Sequence, residues 1–493
     1  MSSIFSKMPQ FEFPPRYGPE WGSGGIFGLK YHRGVLSYTL AFEAEVHFQK
    51  TDAESVYRFE HLGRPPRSGG DTYNAVEAVD DEIYFGGWVH APAAYEGKGG
   101  GGGKILFNNK FSHLHSYSVK DDRTRLLWSD TLGHEWQWAG EVSQVLYDPV
   151  SDRLLLARAD GHEHLGVFSL NRRTGEAQRL SDVPALKGAL HLDHACFDVR
   201  KDWTRGVEGF QTLDLVSGKW SMTEIDFAKS SVDGEGVYWP GAGCAISAYS
   251  RLFFFVRGGV LVGDPLGNLE QMRFVRLFDF GTDYSPSRTV CKAVGGGVLV
   301  AYNAYSQGFL HPRNEFETKM KERANYVNGP STLLYITPPE VRVVGIFGGR
   351  LTSFEKVGDR LILAASTGAN LSADDATPMD TGHRDLTILD LGSLLGNTPP
   401  LTFDVSAEHV MDGTWGGVPL DGRRNAELRI VASKENRLRI NEYTLSLPVQ
   451  TARPEEVSLR AGVQKLDLSG YDGILSFKLE SADPKARIRL RLA

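Results

Sequence analysis

The sequence predicts an all-β fold, and three observations support this class. Glycine accounts for 55 of the 493 residues, about 11% against a usual share of about 7%. Aromatic residues make up a further 11%. Runs of β-branched and aromatic residues alternate with turn residues such as Asp-Pro and Thr-Gly, and helical periodicity is hard to find. Many short strands joined by tight turns are therefore expected.

A strand-like segment recurs along the chain and organises it. The segments begin at residues 26, 76, 142, 196, 244, 291 and 354, so the steps between them run from 47 to 66 residues. A turn and a second apolar strand follow each segment, and further strands follow those. Four strands in roughly 50 residues are typical of a β-propeller blade, so the pattern predicts a seven-bladed β-propeller. A solenoid is the alternative architecture, but the chain shows no polar capping units.

Insertions account for the longer steps. A glycine run occupies residues 98–104, and a charged segment with the character of a short helix occupies residues 312–324. The three cysteines, Cys196, Cys244 and Cys291, take the same position in their repeats. This placement indicates small buried side chains rather than metal ligands or a disulfide framework.

The repeat divides the chain into three regions. Residues 1–20 form an N-terminal segment, residues 21–407 the propeller, and residues 408–493 a small C-terminal β-rich module whose strands alternate apolar and polar residues. The first residues lack the apolar core of a signal peptide, and no apolar run is long enough to span a membrane, so a cytoplasmic protein is expected. The net charge of -7 argues against a nucleic-acid partner.

Common catalytic and binding motifs are not matched. The glycine run differs from a phosphate-binding loop because Lys98 replaces its first glycine and Ile105 its Ser/Thr. The chain has no Gly-x-Ser-x-Gly elbow and no cysteine pair with zinc-ribbon spacing. A site must therefore be sought in how polar residues are distributed over the repeats.

Polar and aromatic residues are concentrated where first strands begin and second strands end. In a propeller these positions share one end, so the repeats beginning at 76, 142 and 196 are expected to bring a group of side chains together there. The group comprises His90, Glu141, Asp160, His162, His191, Asp193 and His194.

These residue types suggest specific roles. Four histidines provide ligands for one divalent metal ion, namely His90, His162, His191 and His194. Candidate catalytic residues are Glu141, His162 and His194 for proton transfer and Arg288 to neutralise an anionic group. Candidate ligand-binding residues, with aromatic rings for stacking on a sugar, are Tyr73, Asn74, Trp88, Trp138, Asp160 and Tyr305. The alternative is that these histidines and aspartates hydrogen-bond the backbone and join neighbouring blades, while the aromatic rings pack between blades.

Several long motifs resemble a known family. They include FGGWVHAP at 85–92 and HLDHACFD at 191–198, together with the segments 21–25, 43–45, 73–79, 138–142 and 157–162. Over roughly residues 20–410 the chain resembles a family of uncharacterised, chiefly archaeal proteins classed as a domain of unknown function. The resemblance implies an archaeal source and brings no activity with it.

Two functions follow as hypotheses. The first is a propeller that binds or acts on a carbohydrate or other small polar ligand at one end, as a His- or metal-assisted lyase or hydrolase. The second is a non-enzymatic scaffold that binds protein partners. The sequence leaves open whether the chain is an enzyme, and neither hypothesis involves nucleic acid or a membrane.

Overall fold

The computed structural model describes residues 10–12, 25–41, 44–59, 70–72, 74–89, 95–96, 104–105, 111–132, 140–159, 165–199, 207–225, 243–268, 270–278, 284–286, 288–304, 331–338, 340–367, 383–396, 401–406, 410, 415–420, 425–443, 454–471 and 473–493. Regular structure in these ranges is almost entirely β-strand, with one short helix, α1 (Leu391–Leu395). The all-β prediction is confirmed. Within the same ranges, no helix has the length and apolar character needed to cross a membrane.

The first half of the chain forms four antiparallel sheets in succession. After β1 (Gln10–Glu12), the first sheet contains β2 (Ile26–His32), β3 (Val35–Leu40), β4 (Glu45–Gln49) and β5 (Glu54–Arg58). The second contains β6 (Gly70–Asp71), β7 (Val76–Val79), β8 (Glu82–Val89), β11 (Phe111–Ser118) and β12 (Arg123–Asp130), and the ladder β9 (Tyr95–Glu96) with β10 (Lys104–Ile105) stands apart from it. The third contains β13 (Glu141–Asp148), β14 (Arg153–Ala159), β15 (Gly166–Asn171) and β16 (Ala177–Ser181). The fourth contains β17 (Gly188–His191), β18 (His194–Val199), β19 (Gly209–Asp214) and β20 (Trp220–Glu224).

Three more antiparallel sheets follow. The fifth contains β21 (Cys244–Ala248), β22 (Arg251–Val256), β23 (Gly259–Gly263) and β24 (Arg273–Arg276). The sixth contains β25 (Tyr284–Ser285), β26 (Cys291–Val294), β27 (Gly297–Ala304), β28 (Ser331–Thr337) and β29 (Glu340–Phe347). The seventh contains β30 (Arg350–Val357), β31 (Arg360–Thr367) and β32 (His383–Asp390), and β1 pairs with β32 as its fourth strand. Residues 10–12, assigned from sequence to a separate N-terminal segment, thus belong to the last of these sheets.

Short polar side chains close many of the connecting turns. An Asp or Asn oxygen accepts a hydrogen bond from the backbone N–H two residues later, and in three of these turns a glycine with positive φ (Gly175, Gly218 or Gly267) completes the reversal. The pairs are Asp148 with Val150 at 2.8 Å, Asn171 with Arg173 at 2.9 Å, Asp214 with Val216 at 2.9 Å and Asp264 with Leu266 at 2.9 Å. These turns agree with the turn residues that separate the apolar runs of the sequence.

Each sheet packs on the next through a shared apolar cluster. For example, Phe48 of the first sheet packs with Phe85 and Tyr117 of the second, and Phe210 of the fourth packs with Phe254 of the fifth. Residues of the first sheet, including Tyr38, also share a cluster with the seventh. The packing therefore runs through the whole series and returns to its first member, while each sheet itself remains open.

The last part of the chain forms two further four-stranded sheets. One contains β33 (Leu401–Ser406), β40 (Arg487–Leu492), β35 (Ala426–Ala432) and β38 (Gly462–Asp467). The other contains β34 (Trp415–Pro419), β39 (Ile474–Leu479), β36 (Asn436–Tyr443) and β37 (Glu455–Leu459), and β34 contacts β21 of the fifth sheet. Because β33 pairs with β40, this module includes strand residues before 408, where the sequence places its start.

One predicted repeat is displaced by a strand. The segment beginning at Cys196 lies on β18, the second strand of its sheet, because β17 precedes it. The hairpin between them turns at Leu192, which adopts φ 52°. The sequence therefore lacks the glycine or asparagine that usually indicates such a turn. The prediction that all three cysteines take the same position is therefore wrong, since Cys244 and Cys291 begin first strands.

Candidate functional site

Asn74 joins the beginnings of inner strands from four sheets. Its side-chain oxygen accepts a hydrogen bond from the Gly28 N–H at 2.7 Å, and its amide nitrogen donates to the carbonyls of Arg288 at 3.2 Å and Thr352 at 3.0 Å. Asn74 itself stands just before β7 with φ 59°, a left-handed conformation that asparagine tolerates. The first, second, sixth and seventh sheets thus place these strand starts at one end of the molecule.

The third and fourth sheets bring a carboxylate and an amine to strand starts as well. Glu141 is the first residue of β13 and is fully buried, and Lys187 directly precedes β17 and is 3% exposed. The Lys187 ammonium donates a hydrogen bond to the Ser143 carbonyl at 2.6 Å. Asp198 accepts hydrogen bonds from the backbone N–H groups of Leu186 and Lys187, both at 2.8 Å, which fixes the backbone that carries the amine.

Burial changes the acid–base behaviour of this lysine. Loss of solvent lowers the pKa of Lys187 to about 8, because the charged form is poorly solvated there. Cys244, Glu141 and Asp198 act in the opposite direction, and the positive charge of Arg288 adds to the lowering. Glu141, Cys244 and Arg288 are therefore near enough to the amine to influence its pKa.

We call Asn74, Glu141, Lys187, Cys244 and Arg288 the strand-start cluster. Each belongs to the beginning of an inner strand, and all five are at most 9% exposed. A carboxylate, an amine with a lowered pKa and a guanidinium in one place are the groups needed to bind an anion and to move a proton. Three members, Asn74, Glu141 and Arg288, are among the predicted site residues.

Lys187 was missed by sequence reasoning. It stands alone as a charged residue in the run VPALKGAL at 183–190, between Leu186 and Gly188. A single lysine inside an apolar run just before a strand is the signal that could have found it, because such a residue is either buried or placed at a strand end. The displaced repeat hid this signal, since β17 was not recognised as a strand.

His191 and His194 do not join this cluster. They flank the hairpin at the far end of β17, where His191 pairs with His194 in register and its Nδ1 is 2.8 Å from the Ser247 hydroxyl near the end of β21. Lys187, at the other end of β17, contacts the start of β13 instead. The expectation that His191, Asp193 and His194 gather with Glu141 is therefore wrong, because the residues before Cys196 form a strand and its turn rather than a loop at a strand start.

Of the other predicted residues, one lies within the described part of the chain and six lie outside it. Trp88 lies on β8 opposite Asp71 and Ser112, and its side chain is buried. Six predicted residues lie outside the described part of the chain: Tyr73, His90, Trp138, Asp160, His162 and Tyr305. The glycine run at 98–103 and the segment 312–324 also lie outside it.

The metal hypothesis gains no support within the described ranges. There, no group of three or more His, Cys, Asp or Glu side chains could hold a metal ion. Two of the four predicted ligands, His90 and His162, fall outside these ranges. A divalent metal ion bound by histidines stays a prediction.

Two ion pairs continue the line of charges along the inner strands. Lys30 of β2 contacts Glu77 of β7 at 2.8 Å, and Lys292 of β26 contacts Glu355 of β30 at 2.8 Å. Burial lowers the pKa of Lys30, but Glu77 and Glu355 outweigh this effect and raise it above the usual value. The pKa of Lys30 is therefore raised, whereas the pKa of Lys187 is lowered.

Comparison with known proteins identifies the family. The profile of a family described as "uncharacterized protein conserved in archaea (DUF2139)" matches residues 36–374, more than half of the chain. The chain belongs to this family. The resemblance noted from the sequence motifs is confirmed. A search of curated proteins returns no match for this archaeal family member.

Three solved structures with some similarity to the chain are distant from it. The β-propeller domain of the Trilobed protease from Pyrococcus furiosus has a TM-score of 0.40 and 10% identity, covering 74% of this chain and 97% of that one. Sqt1 from Saccharomyces cerevisiae has a TM-score of 0.38 and 9% identity, covering 72% of this chain and 81% of that one. An exo-β-1,3-galactanase from Phanerochaete chrysosporium has a TM-score of 0.28 and 8% identity, covering 85% of this chain and 95% of that one. Values this low support no transfer of activity to the archaeal family.

Proposed function

We propose that the chain is a seven-bladed β-propeller that binds a small polar ligand at the end where its inner strands begin. The apolar clusters support the architecture, because each joins one sheet to the next and one joins the seventh to the first. Both faces of the inner strands β2, β13 and β30 are buried over most of their length, as blade-to-blade packing requires. A solenoid would leave its first and last sheets without this contact.

The ligand class follows from the strand-start cluster. Its carrying observation is that the buried Lys187 ammonium contacts the Ser143 carbonyl, two residues from the buried Glu141, and that Glu141 and Arg288 both influence the pKa of this amine. Charged side chains are costly to bury and are retained at sites that use them. A guanidinium recognises a carboxylate, so a sugar acid is the ligand that fits best.

The reaction that suits this site is a lyase-type proton abstraction. Arg288 binds the sugar carboxylate, and the carbon next to that carboxylate loses its proton to the Lys187 amine. The lowered pKa of Lys187, about 8, suits a base that works near neutral pH. Glu141 then serves as the acid that protonates the leaving oxygen. A hydrolase acting on the same ligand would use the same two groups, with Glu141 as acid and Lys187 directing water.

Binding and turnover test this proposal. Galacturonate and glucuronate oligomers are titrated into the protein by calorimetry to measure binding. Turnover is followed by the ultraviolet absorbance of the unsaturated products. Lys187→Met and Glu141→Gln are expected to lower binding or turnover at least about tenfold. Lys30→Met, which removes a half-buried lysine outside the cluster, is the matched control and is expected to keep both binding and turnover. No binding by the parent protein, or equal binding by all variants, would contradict the proposal.

The metal-assisted version has a separate test. Metal content is measured by mass spectrometry on the purified protein and on the double variant His162→Ala with His194→Ala. The metal hypothesis requires bound metal in the parent and its loss in the variant. Absence of metal in the parent, or retention in the variant, removes this version and leaves the Lys187 mechanism in place.

A protein scaffold is the second candidate function, and the outer strand of the sixth sheet favours it. On β29, Val341, Val343 and Ile346 are 44%, 56% and 66% exposed. An apolar edge strand of this kind offers both backbone hydrogen bonds and side-chain contacts to a partner strand. If a partner copurifies in fixed ratio, Val343→Lys is expected to release it, and Lys187→Met is not.

A further inference from the structure

A hydroxyl, an imidazole and a carboxylate meet between the fourth and fifth sheets. His191 Nδ1 lies 2.8 Å from Ser247 Oγ, and His191 Nε2 lies 3.6 Å from Asp264 Oδ1. The three residues come from the end of β17, the end of β21 and the residue after β23. They lie at the opposite end of β17 from the strand-start cluster, so they form a separate site.

The three side chains are ordered from the interior toward the surface. Asp264 is 3% exposed and His191 is fully buried, whereas Ser247 is half-buried. The carboxylate is held in place because its oxygens accept hydrogen bonds from Leu266 N–H at 2.9 Å and Asn268 N–H at 2.8 Å. A fixed acid behind a buried imidazole that contacts an accessible hydroxyl is the arrangement that activates a serine.

The corresponding position in the first sheet shows what a purely structural histidine does. His32 also ends an inner strand and is also buried, and its Nε2 contacts the Asp80 carbonyl of the next sheet at 2.7 Å. That single contact to backbone joins the two sheets. In His191, one ring nitrogen contacts a hydroxyl and the other faces a carboxylate. A histidine that only joins two sheets does not require both of these partners.

We propose that Ser247 is a nucleophile for acyl transfer from small carboxylic esters, with His191 as its base and Asp264 as the residue that positions the imidazole. Ser247 Oγ attacks the ester carbonyl and its proton passes to His191 Nδ1. The carbon–oxygen bond of the ester then breaks, and the alcohol leaves with that proton. Water, deprotonated by His191, hydrolyses the acyl-serine and releases the acid, so serine and imidazole are regenerated without a co-reactant.

The His191–Asp264 separation fits this role. A carboxylate 3.6 Å from the imidazole stabilises the imidazolium that forms when the ring accepts the serine proton, because opposite charges attract strongly at a buried site. The ring presents Nδ1 to serine and Nε2 to the acid, the reverse of the order in chymotrypsin. Roles in such a triad follow from geometry rather than from which nitrogen is used.

Labelling with a small fluorophosphonate tests the proposal on the full-length chain. The probe is expected to add once, with the mass increment mapped to the peptide carrying Ser247. Ser247→Ala is expected to abolish labelling, and His191→Gln to slow it about 100-fold. His32→Gln, the matched histidine between the first and second sheets, is expected to label within about twofold of the parent rate.

Asp264→Asn separates positioning from structure. The asparagine oxygen can still accept one of the two loop hydrogen bonds, so a purely structural role predicts a lower thermal midpoint with an unchanged labelling rate of the folded protein. Positioning predicts labelling slowed about tenfold or more, with folding retained by circular dichroism. The proposal is overturned if the folded parent does not label, or if Ser247→Ala labels as the parent does. Because the probe needs no sugar acid, this outcome is independent of the function proposed for the strand-start cluster.

Discussion

The Asn74 side-chain oxygen accepts a hydrogen bond from the Gly28 N–H at 2.7 Å, which ties the second sheet to the first across 46 residues of sequence. The same carboxamide donates to carbonyls of the sixth and seventh sheets. One buried side chain therefore holds four sheets at the end that carries the strand-start cluster. Its loss should affect stability as well as ligand binding.

Replacing Asn74 is expected to destabilise the fold in two separable steps. Asn74→Gly removes three buried hydrogen bonds but keeps a residue that adopts φ 59° freely, and we expect a loss of about 3 kcal/mol in the free energy of unfolding. Asn74→Ala adds backbone strain of about 1 kcal/mol. Urea unfolding measures both, and equal stability of the two variants would contradict the conformational part.

Lys187→Met is expected to change how stability depends on pH. The pKa of Lys187 is lowered by burial to about 8 from 10.5, so between these values the unfolded chain holds a proton that the folded chain lacks. The parent therefore gains up to about 3 kcal/mol of stability as pH rises through this window, and the variant lacks that gain. Urea unfolding of both proteins at pH 7.5 and 10 measures the difference.

Lys30→Met provides the control for that experiment. Its pKa is raised in the folded protein by Glu77 and Glu355 despite burial, so Lys30 is charged in both states below pH 10. The stability difference between parent and Lys30→Met should then stay flat from pH 7.5 to 10. A flat difference for Lys187→Met as well would show that its amine titrates normally.

His113→Leu is expected to make the protein more tolerant of acid. Burial lowers the pKa of His113 to about 3 from 6.5, and its Nδ1 lies 3.1 Å from that of His115 between Phe59 and Phe85. As pH falls below 6.5 the unfolded chain takes up a proton that the folded chain does not, so the parent loses stability. Between pH 6.5 and 4.5 this loss amounts to about 3 kcal/mol. Chemical unfolding across this range should show a shallower decline for the variant, and parallel declines would contradict the prediction.

Removing residues 1–12 is expected to lower the thermal midpoint by about 5 °C. The truncation deletes β1, whose residues 10–12 pair with residues 383–385 of β32, and so exposes the edge of the seventh sheet. A chain lacking only residues 1–9 keeps β1 and is the control. Scanning calorimetry checks both, and an unchanged midpoint in the longer truncation would show that this pairing contributes nothing to stability.

Local pattern was sufficient to predict most inner strands. Segments beginning at 26, 76, 244 and 291 coincide with the first residues of β2, β7, β21 and β26. Alternating or continuous apolar runs bounded by turn residues carry this information, because strand formation depends on neighbouring side chains. β17 escaped because four residues without a β-branched side chain, ending at a non-glycine turn, carry no such pattern.

The sequence by itself determined the all-β class, the repeating units and the placement of Asn74, Glu141 and Arg288 at strand starts. Only the tertiary structure decided that Lys187 joins Glu141, that His191 and His194 lie at the other end of β17, and that residues 10–12 complete a sheet with β32. The reason is physical: strand formation is local, whereas these relationships join residues 46 to more than 300 positions apart through packing between sheets. A one-strand error in assigning a repeat moves a side chain from one end of the molecule to the other.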